Sequence, residues 1–272
     1  MKMKTAPVNL PFREQIKFFR QKVNVPTTGW RDLMKAEHDR AFVVAGATKA
    51  DLLADLRNAV DKAIAEGKSL EWFQEQFESI VAKHGWEYHG TPAWRARTIL
   101  ENNINSSYAA ARYAQQTDPD FLALNPYWEW RHGDSVHPRP QHLAWDGMVL
   151  PADHPWWNAH YPPCGWGCKC KVFALGPDAL QQRGIKVLKE PRKNLPGPKA
   201  ESEVMKGVDV GWNYTPGKTV RDQLRPIIQR KVDKAPPKIS ADLKAEMRAY
   251  LKDLERDTKR LQREERASKR GR

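Results

Sequence analysis

PYWEWRH, residues 126–132, is the stretch on which the fold class turns. Its period-two alternation, with Trp128 and Trp130 on one face, reads as a half-buried strand. Everything before it has the texture of helices. Pro92 suits a first helical turn, and a long helix is expected from there to about Gln116, with Trp94, Ile99, Ile104, Tyr108, Ala111 and Tyr113 apolar, until Asp118-Pro119 breaks it. Further back, Leu52, Leu53, Leu56, Val60 and Ile64 form one stripe over residues 49–66, closed by Gly67. Ser69 then caps a helix carrying Trp72, Phe73, Phe77 and Ile80, ended at His84-Gly85. Thr48 and Asp51 resemble a capping box with Asp in place of Glu. Residues 11–23 predict a short amphipathic helix, and residues 30–44 a second one.

After the strand the texture changes. Residues 126–175 are rich in Pro, Gly, Trp and His, with further strands expected at 143–149 and 169–173. Residues 178–183 predict a short helix closed by Gly184, and 185–188 an edge strand. Pro, Gly and Lys dominate 189–240, apart from a helical island near 220–232, and residues 240–272 predict a charged helix with a narrow apolar stripe. The fold class expected is α+β. An N-terminal helical region packs on a small Trp-rich antiparallel sheet, followed by an extended linker and a charged C-terminal helix. The corresponding division is a helical extension (1–48), a central domain (49–175), a Pro/Gly-rich linker and surface segment (176–239) and a charged tail (240–272).

The chain has 272 residues, enough for a substantial core, and a formal charge of +13. Its 40% hydrophobic content lies below the ~45–50% of typical globular domains, so part of the chain is expected to be solvated. No run approaches the ~20 apolar residues of a membrane span, and the Lys-bearing N-terminus has no apolar h-region, so neither membrane insertion nor a secretory signal is expected. The basic balance points to a polyanion or an acidic partner surface. Six of the eleven Trp, five of the eight His and all three Cys lie within residues 126–170. Trp supplies the buried area that a small sheet with few Leu and Ile needs, so most of these rings read as core.

The cysteines sit in PPCGWGCKC, residues 162–170, with His142, His154 and His160 upstream. Thiolate and imidazole are what zinc prefers. Cys168 and Cys170, two apart in an extended segment, point the same way, and Gly165 and Gly167 supply the turn of a knuckle. Cys168 and Cys170 lead the ligand set, His142 follows, then Cys164 or another His. The competing reading is a reduced, half-buried cysteine group without metal, since free Cys is among the most buried residue types. Asp134, Asp146 and Asp153 offer carboxylates for a metal-dependent hydrolase or nuclease, yet no HExxH or paired-aspartate pattern accompanies them. No catalytic residue is assigned, and a non-enzyme is expected. Arg131, Arg139, Lys169 and Lys171 flank the Trp-rich stretch and offer phosphate contacts to double-stranded DNA, which leaves a DNA-binding module as an alternative.

An ordered set of phrases carries a further reading. AIAEGKS within residues 63–77 precedes WRARTILENNINSSYAAAR (94–112), RHGD (131–134), RPQHLAWDG (139–147) and the close PPCGWGCKCKV (162–172). The set resembles the phage Mu protein F-like minor head proteins, also called the phage head morphogenesis domain, over roughly residues 49–175. The GWNYTPG segment (211–217) also resembles what trails that domain in Mu-like phages. The resemblance makes Asp134, His142, Gly147, Pro162, Pro163, Cys168 and Cys170 signature positions. It implies a minor capsid protein acting in procapsid assembly near the portal, with portal, scaffold or major capsid protein as partners and packaged DNA as a further contact. It implies a place in the host cytoplasm during assembly and then in the procapsid and virion head.

Overall fold

The computed structural model describes residues 12–29, 31, 35–133, 135–195 and 206–218. The expected charged helix at 240–272 and the helical island near 220–232 lie outside them. The architecture is α+β, as expected: a helical N-terminal layer and a three-stranded antiparallel sheet rich in Trp.

Helices α1 (Arg13–Arg20), α2 (Ala50–Glu66), α3 (Leu70–His84) and α4 (Pro92–Gln116) form the helical layer, and the short helices α5 (Pro119–Leu124), α6 (Pro140–Trp145), α7 (Trp157–His160) and α8 (Pro177–Arg183) follow them in the chain. Their ends follow local chemistry. The Ser69 and Thr91 hydroxyls accept from the N–H of Trp72 and Trp94, each at 3.3 Å, and Gly67 and Gly85 end α2 and α3 in left-handed backbone. The stripe of α2 packs Leu52, Leu53, Leu56 and Val60 against Phe73 and Phe77 of α3 and against Ala96, Ile99 and Leu100 of α4. Phe19 of α1 closes this core edge-on to Phe42 at 5.9 Å.

Three local expectations are corrected. In place of the helix expected over residues 30–44, the described residues there form a 3-10 turn at Lys35–Asp39 that leads into β2 (Ala41–Phe42), which pairs in parallel with β1 (Val23–Asn24). There the β-branched and aromatic residues gain more by entering the core than by helical periodicity. The Thr48–Asp51 capping box is absent, because α2 starts after Lys49 with no side-chain cap. Residues 143–149 are not a strand: Pro140 opens the short helix α6 (Pro140–Trp145), and only β4 (Val149–Pro151) joins the sheet.

The sheet order is β4-β3-β5, with β3 (Tyr127–Arg131) central and β5 (Lys171–Leu175) on its other side. Its two faces differ in chemistry. Trp128 and Trp130 enter an aromatic core with Trp145, Trp157, Tyr161, Met148 and the three cysteines. Between them Glu129, 3% exposed, faces the opposite way and accepts both arms of Arg183 (3.0 and 2.9 Å) from α8 (Pro177–Arg183), which covers that side. The expected edge strand at 185–188 reduces to one bond, Leu188 N–H to the Val149 carbonyl at 2.9 Å.

Helix α4 serves both cores. Its 25 residues span about 38 Å. Ala96, Ile99 and Leu100 belong to the helical core, whereas Ala109 and Tyr113 belong to the aromatic one, with Tyr113 edge-on to Trp128 and Tyr161. Within the stretch read as linker, residues 206–218 run back over the sheet module as a strap, burying Val208, Trp212, Tyr214 and Thr215. No described helix is long and apolar enough to cross a membrane.

Candidate metal centre

Three side chains from two segments converge beneath Trp130 and Trp145. His142 is placed by α6, which Pro140 starts; Cys168 and Cys170 lie on the chain entering β5. The turn before them is tight, with the Cys168 N–H donating to the Gly165 carbonyl at 3.1 Å and Gly167 at φ +67°. His142 Nδ1 is 3.5 Å from Cys170 Sγ and 3.8 Å from Cys168 Sγ, and the three potential ligand atoms lie within 4.8 Å of one another. All three residues are buried. Among the described residues this is the His/Cys/carboxylate group that could hold a metal ion.

The second nitrogen of His142 fixes its role. Nε2 sits 2.6 Å from the Gly207 carbonyl oxygen, which can only accept, so Nε2 carries the proton. Nδ1 therefore faces the two sulfurs, an orientation that backbone carbonyls commonly impose on metal-ligating imidazoles. The ring is further held by stacking on Trp145 (5.5 Å, 21°) and by the edge of Trp130. Gly207, at φ +82°, belongs to the strap, and a side chain there would overlap Trp145.

The thiols are differentiated by their contacts. A hydrogen bond from the Cys170 thiol holds Cys168 well below the usual thiol range, with His142 and the Cys164 backbone amide acting in the same direction against burial. The same bond to Cys168, followed by burial, pushes Cys170 up, while the Gly133 amide opposes it. Cys164 is fully buried, raised by desolvation, and stands outside the converging group. Its carbonyl instead accepts the Asp209 N–H at 2.9 Å.

The remaining predicted positions are distributed around this centre. Asp134 lies outside the described residues. Gly147, at φ +70°, donates its N–H to the Trp130 carbonyl at 2.9 Å and turns the chain from α6 into β4. Pro162 and Pro163 are buried and joined by a cis peptide bond. The four basic residues read as phosphate contacts are engaged within the fold. Arg131 pairs with Asp146 (3.1 Å), Arg139 with Asp209 (2.6 Å) and Lys169 with Glu101 (3.7 Å); Lys171 lies over the Tyr108 ring. His160 stacks on Trp156 at 4.3 Å and bonds its carbonyl through Nδ1 (2.9 Å); burial lowers its pKa.

Sequence reasoning missed the polar centre of α4, NNINSS at 102–107. Asn105 Nδ2 donates to the Cys168 carbonyl (3.2 Å), and Asn102 Oδ1 accepts the Gly167 N–H (3.3 Å). From α1, Gln15 Nε2 reaches Ser107 Oγ and the Ile104 carbonyl, each at 3.1 Å. One helical turn of amides and hydroxyls thus fastens both α1 and the cysteine knuckle. The available signal was the polar run itself, in a helix apolar on either side of it.

Comparison with known proteins matches residues 54–173 to the family described as Phage Mu protein F like protein. The resemblance drawn from the ordered phrases is therefore borne out. The chain is 34% identical over 222 residues to the Mu-like prophage FluMu F protein of Haemophilus influenzae, covering 70% of this chain and 53% of that protein. It is 29% identical over 258 residues to "Putative capsid assembly protein F" of Escherichia phage Mu, covering 82% of this chain and 58% of that protein. The chain thus spans a little over half the length of these curated relatives. No solved structure matches. The Mu F-like segment ends in β5, so the strap that buttresses His142 lies beyond it in sequence while packing against it in space.

Proposed function

We propose that this chain is a structural component of head assembly in a Mu-like tailed phage or prophage: a minor head protein acting in the procapsid near the portal, made in the host cytoplasm and carried into the virion head. The observation that carries the reading is the similarity over 82% of the chain to the phage Mu protein named "Putative capsid assembly protein F". The physical character of the site agrees with a structural part. His142, Cys168 and Cys170 are 2%, 3% and 8% exposed, so a substrate has no approach to them. A catalytic metal needs an open position facing substrate, whereas a buried ligand set braces a fold. The hydrolase and nuclease readings draw no support from such a centre.

The proposed partners are the portal, scaffold or major capsid protein. DNA contact receives no support from Arg131, Arg139 and Lys169, whose charges are paired, and Lys171 stands over an aromatic ring. Capture of the tagged full chain from an induced lysate tests the role. Portal protein should co-purify at salt that strips nucleic acid; recovery of the chain free of every head protein would overturn the reading.

A further inference from the structure

The geometry points to a zinc site: we infer that His142, Cys168 and Cys170 bind one zinc ion as a structural clamp, and that the clamp locks the 206–218 strap onto the sheet module. Cys164, the third cysteine of the cluster, is not a ligand.

The distances carry this. Zinc binds thiolate at about 2.3 Å and imidazole at about 2.0 Å, so a tetrahedral ion sets N···S edges of about 3.5 Å between its ligands. The observed edges are 3.5 and 3.8 Å, without any rearrangement of either segment. The donor set is two sulfurs and one nitrogen, which selects a soft or borderline divalent ion over magnesium or calcium. With Nε2 turned to the Gly207 carbonyl, Nδ1 is the nitrogen that faces the sulfurs. The three residues provide three of the four positions that zinc prefers.

The coupling to the strap follows from the same contacts. An ion on Nδ1 makes Nε2–H a stronger donor, and its acceptor is the strap's Gly207 carbonyl at 2.6 Å. Two residues on, Asp209 accepts from Arg139 (2.6 Å) and from the Trp166 N–H (2.9 Å) in the knuckle turn. The strap then reaches the N-terminal layer: the Gly211 carbonyl accepts from the Lys35 N–H (3.0 Å) and the Gly217 N–H donates to Asp39 (2.9 Å). One ion therefore sits where the knuckle, α6 and the strap meet.

Elemental analysis of the purified full-length protein, with cobalt replacement of the bound metal, tests the site. The expected result is about one zinc per chain, and a cobalt form with thiolate charge-transfer bands and the intense visible absorption of a tetrahedral ion. Cys164→Ser should keep the metal, whereas Cys168→Ser, Cys170→Ser and His142→Ala should lose it. Should the last three fail to fold, the cobalt spectrum of the unmutated chain still decides. A folded protein that takes up neither zinc nor cobalt overturns the site, and loss of metal in a folded Cys164→Ser protein overturns the ligand set. For the strap, chelation should speed trypsin cleavage at Lys206 and Lys218 at least several-fold. Cleavage unchanged by metal removal would overturn the coupling.

Discussion

Lys22 is 4% exposed, with its ammonium 2.7 Å from the His38 carbonyl and Asp39, Arg40 and Arg57 around it. Desolvation lowers its pKa from 10.5 to about 8, Asp39 opposing and the two arginines adding to the shift. The unfolded chain therefore holds more protons than the folded one between these values, and stability should rise as pH increases from about 8 to 10.5. Lys22→Met should flatten that rise and stabilise the protein at pH 7 by up to about 3 kcal/mol, less the lost hydrogen bond, as read by denaturant melts at several pH values. Gly133 offers a second test. A Cβ there would run into the Lys169 backbone carbonyl, so Gly133→Ala must push the cysteine segment outward, and a lower melting temperature with weaker metal retention is expected. At this scale the converging residues were legible because Cys-x-Cys on extended chain fixes a shared direction. The exclusion of Cys164, the His142 tautomer and the anchoring by Asn102 and Asn105 were not, since each depends on segments far apart in sequence.

Helix α4 shows what a single element can be asked to do. Its first half lines one core and its second half another, so cavities in either should weaken the whole. Leu56→Ala, in the helical core, is expected to cost about 2–5 kcal/mol, and Trp130→Ala, in the aromatic core, about 3–5 kcal/mol. Ser69→Ala removes only a cap and should cost about 1 kcal/mol. Chemical denaturation followed by far-UV circular dichroism reads all three; a single transition for each variant is the signature of the shared helix. The helices at 50–66, 70–84 and 92–116 were legible because 3.6-residue stripes and capping residues agree with each other there. The short pieces were not. Two-residue strands at 23–24 and 41–42 leave no period to detect, and the α6 helix hides in a stretch whose Trp and Val spacing fits a strand equally well.

For the whole molecule, the N-terminal layer and the sheet module are joined twice, by α4 and by the strap. Asp209 fastens the strap to Arg139 and to the knuckle, and Asp209→Asn should lower stability by about 1 kcal/mol while exposing the strap to protease. Residues 219–272 carry 17 Lys+Arg against nine Asp+Glu, so more than half of the chain's +13 lies in that stretch of sequence. The strap's role was only partly legible. GWNYTPG stood out by resemblance, but its composition is that of a surface loop, and only the buried Trp212 and Tyr214 reveal a packed element. If the chain is built into the phage head, as proposed, mass spectrometry of purified procapsids and mature heads should find it in procapsids at low, fixed stoichiometry to the portal; its absence from both particles would contradict that role.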